Sequence, residues 1–218
     1  MSSSFVLAGR NKSTIGRIAL AAAIGSTGVP AGAGQRSADE TRPVPERRAV
    51  AAFNRGVVLA EAGRREEALR AYREALRRQP AFPEALVNLG VQLAGAGLRS
   101  EALAAFDQAL RLDPALPEAH LDRGAVLGDM GRHEEAALAF AEAARLRPGF
   151  TEALRGLGLS HLLLGHAAAS VEAYEAALAL DPELADAWDG LATALARLGR
   201  REDALEAYDV AIHLRPRR

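Results

Sequence analysis

The chain has 218 residues, no cysteine and a formal net charge of −1 at pH 7. That composition excludes disulfides and thiolate metal sites, and the slightly acidic balance of residues 49–218 argues against binding nucleic-acid phosphates, which needs a basic stripe. Charge is unevenly spread, with seven basic and three acidic groups in residues 1–48 against 20 and 25 in the remainder.

Residues 1–48 are rich in Gly, Ala, Ser and Pro, and their first acid is Asp39. Arg10, Lys12 and Arg17 precede a short apolar run, Ile18 to Ile24, and Ala31-Gly32-Ala33 offers the small side chains of a cleavage site. That order is the layout of a secretory signal peptide over residues 1–33, and it predicts an exported or periplasmic protein; the alternative is a retained low-complexity tail on a cytoplasmic one. The run is too short to span a membrane. Residues 34–48 read as a flexible lead-in stiffened by Pro43 and Pro45.

From Ala49 onward one pattern recurs without insertion, in five copies: 49–82, 83–116, 117–150, 151–184 and 185–218. Pro80, Pro114, Pro148, Pro182 and Pro216 are each 34 residues apart, and Gly63, Gly97, Gly131, Gly165 and Gly199 keep the same interval. A period of this size marks an array of stacked units that bury one continuous seam.

Each copy predicts a helix hairpin. In the second, Leu86, Leu89 and Leu93 recur at three and four residues, the period of one helical face. Gly95 and Gly97 then permit a helix end at little steric cost. Ala102, Leu103, Phe106, Ala109 and Leu110 form the apolar side of a second helix, which Pro114 stops. Small residues let the two helices meet: Gly56, Gly90, Gly124, Gly158 and Ala192 in the first, Ala68, Ala102, Ala136, Ser170 and Ala204 in the second. One aromatic per copy, at Tyr72, Phe106, Phe140, Tyr174 and Tyr208, fills the adjoining space. Acid pairs open most second helices, at Glu66-Glu67, Glu134-Glu135 and Glu202-Asp203, where they complement the amide dipoles.

These residues carry a resemblance to the tetratricopeptide repeat, whose signature is W-x2-L-G-x2-Y, then A-x3-F, then P. The fifth copy supplies Trp188, Leu191, Ala192, Leu195, Ala204, Tyr208 and Pro216 in those places, and the second supplies Leu86, Leu89, Gly90, Leu93, Ala102, Phe106 and Pro114. The match runs from Ala49 to Arg218. Departures are local: Arg55 and Arg123 stand for the signature leucine, His161 for the tyrosine, and Ala167, Ala168 and Ala169 open a second helix without acids, which marks copy four as the least stable. The resemblance implies an all-α solenoid of ten helices bent into a right-handed superhelical arc. It also implies a concave groove, lined by the first helices, that grips an extended peptide.

Groove positions implied by the resemblance are Asn54, Glu84, Asn88, Glu118, Asp122, Glu152, Asp186 and Asp189. Asn54 and Asn88 resemble the asparagine ladder of O-linked N-acetylglucosamine transferases, in two copies only. The lysine and asparagine clamp of chaperone-binding repeats is replaced by Phe53 and Val57, which speaks against capture of a chaperone tail. The row of acids suits a partner with basic residues, and helix-start chemistry accounts for the same row equally well.

No catalytic, metal or cofactor constellation emerges. None of His120, His133, His161, His166 and His213 forms an i, i+4 pair, and neither H-E-x-x-H nor G-x-S-x-G occurs. The expectation is therefore a non-enzymatic scaffold that binds a protein or peptide, with no cofactor, nucleic acid or membrane span. The alternatives are an accessory to a transferase domain absent from this chain and a self-associating structural protein. For the last, Leu205 and Ile212 in the fifth copy face no further hairpin and form the self-association end. Cleavage of the signal peptide gives a chain beginning at Gly34, which N-terminal sequencing of native protein reads; an intact Met1 or Ser2 start excludes export.

Overall fold

The structure, a computed structural model, describes residues 44–215; the assigned signal peptide at 1–33 and the last three residues lie outside them. The described residues fall into two compact units, 44–114 and 115–215. Each is built only of helices. The first holds α1 (Val44–Glu61), α2 (Arg65–Arg78), α3 (Pro83–Gly95) and α4 (Arg99–Leu112). The second holds α5 (Pro117–Asp129), α6 (His133–Leu146), α7 (Thr151–Leu163), α8 (Ala167–Leu180), α9 (Ala185–Arg197) and α10 (Arg201–Leu214). The pairs are the five hairpins that the 34-residue period implies, and within a unit each helix packs on its neighbours in sequence.

The first helix starts earlier than the repeat boundary at Ala49. It takes in Val44 to Arg48, which the sequence reading placed in a flexible lead-in. Pro45 sits in the opening turn, where a proline removes only an amide that has no helical acceptor.

The turn inside every hairpin is the same object. Gly63, Gly97, Gly131, Gly165 and Gly199 all adopt φ between 74° and 80°, a region that glycine enters without strain. In copy two the amide of Leu98 reaches back to the carbonyl of Leu93 at 2.9 Å, and that of Gly97 to Ala94 at 2.9 Å. The first of these bonds is repeated by Arg64, Arg132, His166 and Arg200. Carbonyls left over at the helix end are thereby satisfied. Second helices end two residues before Pro80, Pro114, Pro148 and Pro182, because proline disfavours helical angles in the residue before it.

Packing in each unit centres on one aromatic ring per hairpin. A Cβ built on Gly56 would lie 2.6 Å from Tyr72, on Gly90 2.6 Å from Phe106, on Gly124 2.9 Å from Phe140, and on Gly158 3.0 Å from Tyr174. The small-residue stripe is thus the seat of the ring. Two rings are seated twice: Gly156 of the following hairpin would bring a Cβ to 2.7 Å from Phe140, and a Cβ on Gly190 would overlap the ring of Tyr174 more closely still. Phe140 and Tyr174 are therefore clamped between two glycine backbones. Copy five has Ala192, which is buried, in this place, and its ring, Tyr208, is partly exposed.

Ser170 takes the alanine place at the copy-four crossing, and it is fully buried. Its hydroxyl donates to the Gly158 carbonyl at 2.8 Å, so the burial leaves no unmet donor. Gly124→Ala and Gly190→Ala should each cost about 1–3 kcal/mol by overpacking a clamped ring. Ser170→Ala should stay within about 1 kcal/mol, since the carbonyl it leaves belongs to a helix. Urea unfolding followed by circular dichroism measures all three.

Candidate functional site

The residues assigned to the groove separate by exposure, and the clamp explains why. Asn88 and Asp122, at the sixth position of copies two and three, are buried. In copies four and five that position is Gly156 and Gly190, pressed against the ring of the preceding hairpin. The sixth position is therefore a packing position first. Only Asn54, in α1, is exposed there. Asn88 and Asp122 are therefore not on an open surface.

The second-position acids do reach solvent. Glu84 and Glu118 are partly exposed, while Glu152 and Asp186 are exposed; Asp189 nearby is partly exposed. Two copies neutralise this acid from within their own hairpin. The Arg147 guanidinium donates to Glu118 and stacks 4.5 Å over the ring of Phe150. In copy five Arg215 donates to Asp189 and lies 3.9 Å from Asp186. Both arginines occupy the first residue after the second helix. In copies two and four that residue is Asp113 and Asp181. Copy four thus has an aspartate at the place where copies three and five have the arginine that meets this acid. The Asp181 carboxylate accepts the amide of Glu183 at 3.0 Å.

The acids that open the second helices have local partners. Arg64 donates to Glu67, Arg132 to Glu135 and Arg200 to Asp203, each across three residues. Hydrogen bonds from these arginines hold Glu67 and Glu135 below the usual carboxylate range. None of the second helices carries a side-chain cap bond, so the acids act through the arginine and the dipole.

Of the histidines, His161 is the most constrained. It is partly buried on α7, its ring 5.8 Å from that of His166, and its Nδ1 atom has no hydrogen-bond partner. Burial, followed by the charge of His166, lowers its pKa, with Glu172 opposing. Among the described residues no group of three or more His, Asp or Glu side chains could hold a metal ion, and no helix is long and apolar enough to cross a membrane.

Sequence reasoning missed the two arginines and the role of Gly156 and Gly190. The signal for the first was present, as arginine at the same place in copies three and five. The signal for the second was a glycine 16 residues after Phe140 and again after Tyr174.

The family described as the tetratricopeptide repeat matches residues 49–82, and the one described as the bacterial transcriptional activator domain matches residues 81–215. None of the curated proteins matches. Among solved structures, MamA from Desulfovibrio magneticus RS-1 is 28% identical with a TM-score of 0.72, over 77% of this chain and 94% of that one. YrrB, described as a TPR protein with an unusual peptide-binding site, is 25% identical with a TM-score of 0.71, over 86% and 94%. A further MamA structure, at 24% identity and a TM-score of 0.71 over 76% and 91%, shares the fold.

One partly buried and one buried group make stability depend on pH. His161 protonates near pH 6.5 when unfolded and lower when folded, so the unfolded chain binds more protons below that value. Its contribution is present above pH 6.5 and is lost as pH falls through the lowered folded value. Burial also pushes the Tyr174 phenol from 10 up to about 12. Here the folded chain holds the proton more tightly; the contribution is full below pH 10 and is lost between 10 and about 12, on the order of 2–3 kcal/mol. His161→Tyr should flatten the acid limb of a urea-midpoint profile, and Tyr174→Phe should lessen the alkaline one.

Proposed function

The chain belongs to the tetratricopeptide-repeat family, its residues 81–215 to the family described as the bacterial transcriptional activator domain, and from that membership we propose a scaffold that binds an extended, basic segment of another protein. The segment lies along the starts of α5, α7 and α9, which pack side by side in the unit 115–215. The observation that carries the reading is the uncompensated acid of copy four. Glu152 is exposed, its copy has Asp181 in the place of the arginine, and the copies on either side have acids already met by Arg147 and Arg215. A lysine or arginine of the partner supplies at copy four the cation that copies three and five supply themselves. Copy two has the same pair of residue types in the unit 44–114, with Asp113 at the place of Asp181 and Glu84 partly exposed. The likeness to YrrB, whose description includes a peptide-binding site, supports the class of ligand.

Exposed charge pairs are modest and screened by salt. Their service here is to choose the partner and its register rather than to supply most of the affinity. Glu152→Lys should weaken binding of the best lysine- or arginine-containing peptide from an immobilised array by about threefold or more at low salt. Glu118→Gln, which removes an acid already paired, should change it less. Helicity and melting should be unaffected in both. Equal affinity of Glu152→Lys and the unaltered protein would assign that acid to helix-start chemistry alone.

A further inference from the structure

In the unit 115–215, α8 lays Val171, Tyr174 and Leu178 toward α9, and they are 6%, 3% and 7% exposed. Leu205, Tyr208 and Ile212 hold the same register on α10, and they are 65%, 37% and 62% exposed. The face that α8 gives to the next first helix is therefore open on α10, with no described residue over it. Side chains of this size left in water together favour association.

The complementary half-junction is also open. Within the unit 44–114, α3 buries Ala85 and Asn88, and it packs on α2. The same register on α1 holds Ala51 and Asn54, both exposed, with Val58 64% exposed one turn further on. One end offers a second-helix face, and the other a first-helix face.

We propose that a second copy of this chain covers α10, its α1 packing there in the register in which α3 packs on α2. The residue match singles out that junction. Asn88 and Tyr72 hold the sixth and aromatic places at the α2–α3 junction, and Asn54 and Tyr208 would hold the same places between copies. At the α8–α9 junction the partner of Tyr174 is instead Gly190. The contact uses different surfaces on the two copies, so it is heterologous and extends to further copies rather than closing on two.

Sedimentation or light scattering of the full chain tests this. The unaltered protein should gain mass steadily through the micromolar range. Val58→Glu blocks one end, and Leu205→Glu with Ile212→Glu blocks the other; all three positions are exposed, and circular dichroism should show unchanged helicity. Each variant alone should be monomeric. Mixed in equal amounts they retain one compatible pair of ends and should form a dimer and nothing larger. Ala51→Arg provides a second block of the α1 face should Val58→Glu lose helicity. A monomeric unaltered protein at high micromolar concentration overturns the proposal. So does association that survives blocking of α1, which would place residues 1–43 or a second α10 on the face, and so does a mixture that stays monomeric.

Discussion

One ring held between two helix backbones is the constraint on which the repeats depend. Phe140 rests on Gly124 of its own hairpin and on Gly156 of the next; Tyr174 rests on Gly158 and Gly190. Close-packed interiors do not absorb an extra methyl group without displacement, so each of these two rings dictates glycine at two positions some distance away in sequence. Phe140 and Tyr174 also join their hairpins to the next one, so that local hairpin packing and repeat stacking are there one interaction. In copy five the crossing place holds the buried Ala192, and the ring of Tyr208 is partly exposed among the described residues.

Burial and charge divide the first helices between them. The third and sixth positions are given to packing, which is worth more per residue than any exposed ion pair. Charge is left to the second position and its surroundings. There the alternation between Arg147 and Arg215 on one hand and Asp113 and Asp181 on the other sets the local sign. A chain whose total charge is −1 can still present a defined acidic point, because neutralisation occurs copy by copy.

Polar groups at the junctions show how far the repeat tolerates exceptions. Ser170 replaces an alanine without penalty because the Gly158 carbonyl lies within reach at 2.8 Å. His161 replaces a tyrosine and gains less, since its Nδ1 has no acceptor or donor opposite it. The difference lies in the neighbour: a backbone carbonyl faces the first, a second imidazole the other.

The hairpins, their turns and the family were legible in the sequence, because periodicity, glycine at the left-handed turn and proline after each second helix are local requirements that every copy states anew. The crossing of Gly90 with Phe106 was legible for the same reason. Which face each first-helix position serves was decided only by the tertiary structure. Asn88 and Asp122 carry side chains suited to binding, yet they lie buried at the position where Gly156 and Gly190 meet a ring from the preceding hairpin. Glu118 and Glu152 look alike in the sequence, and they differ because Arg147 sits 29 residues beyond the first and Asp181 the same distance beyond the second. A residue's own type and period determine its helix. What it touches across a junction depends on side chains from another turn of the array, and only the packed fold brings those together.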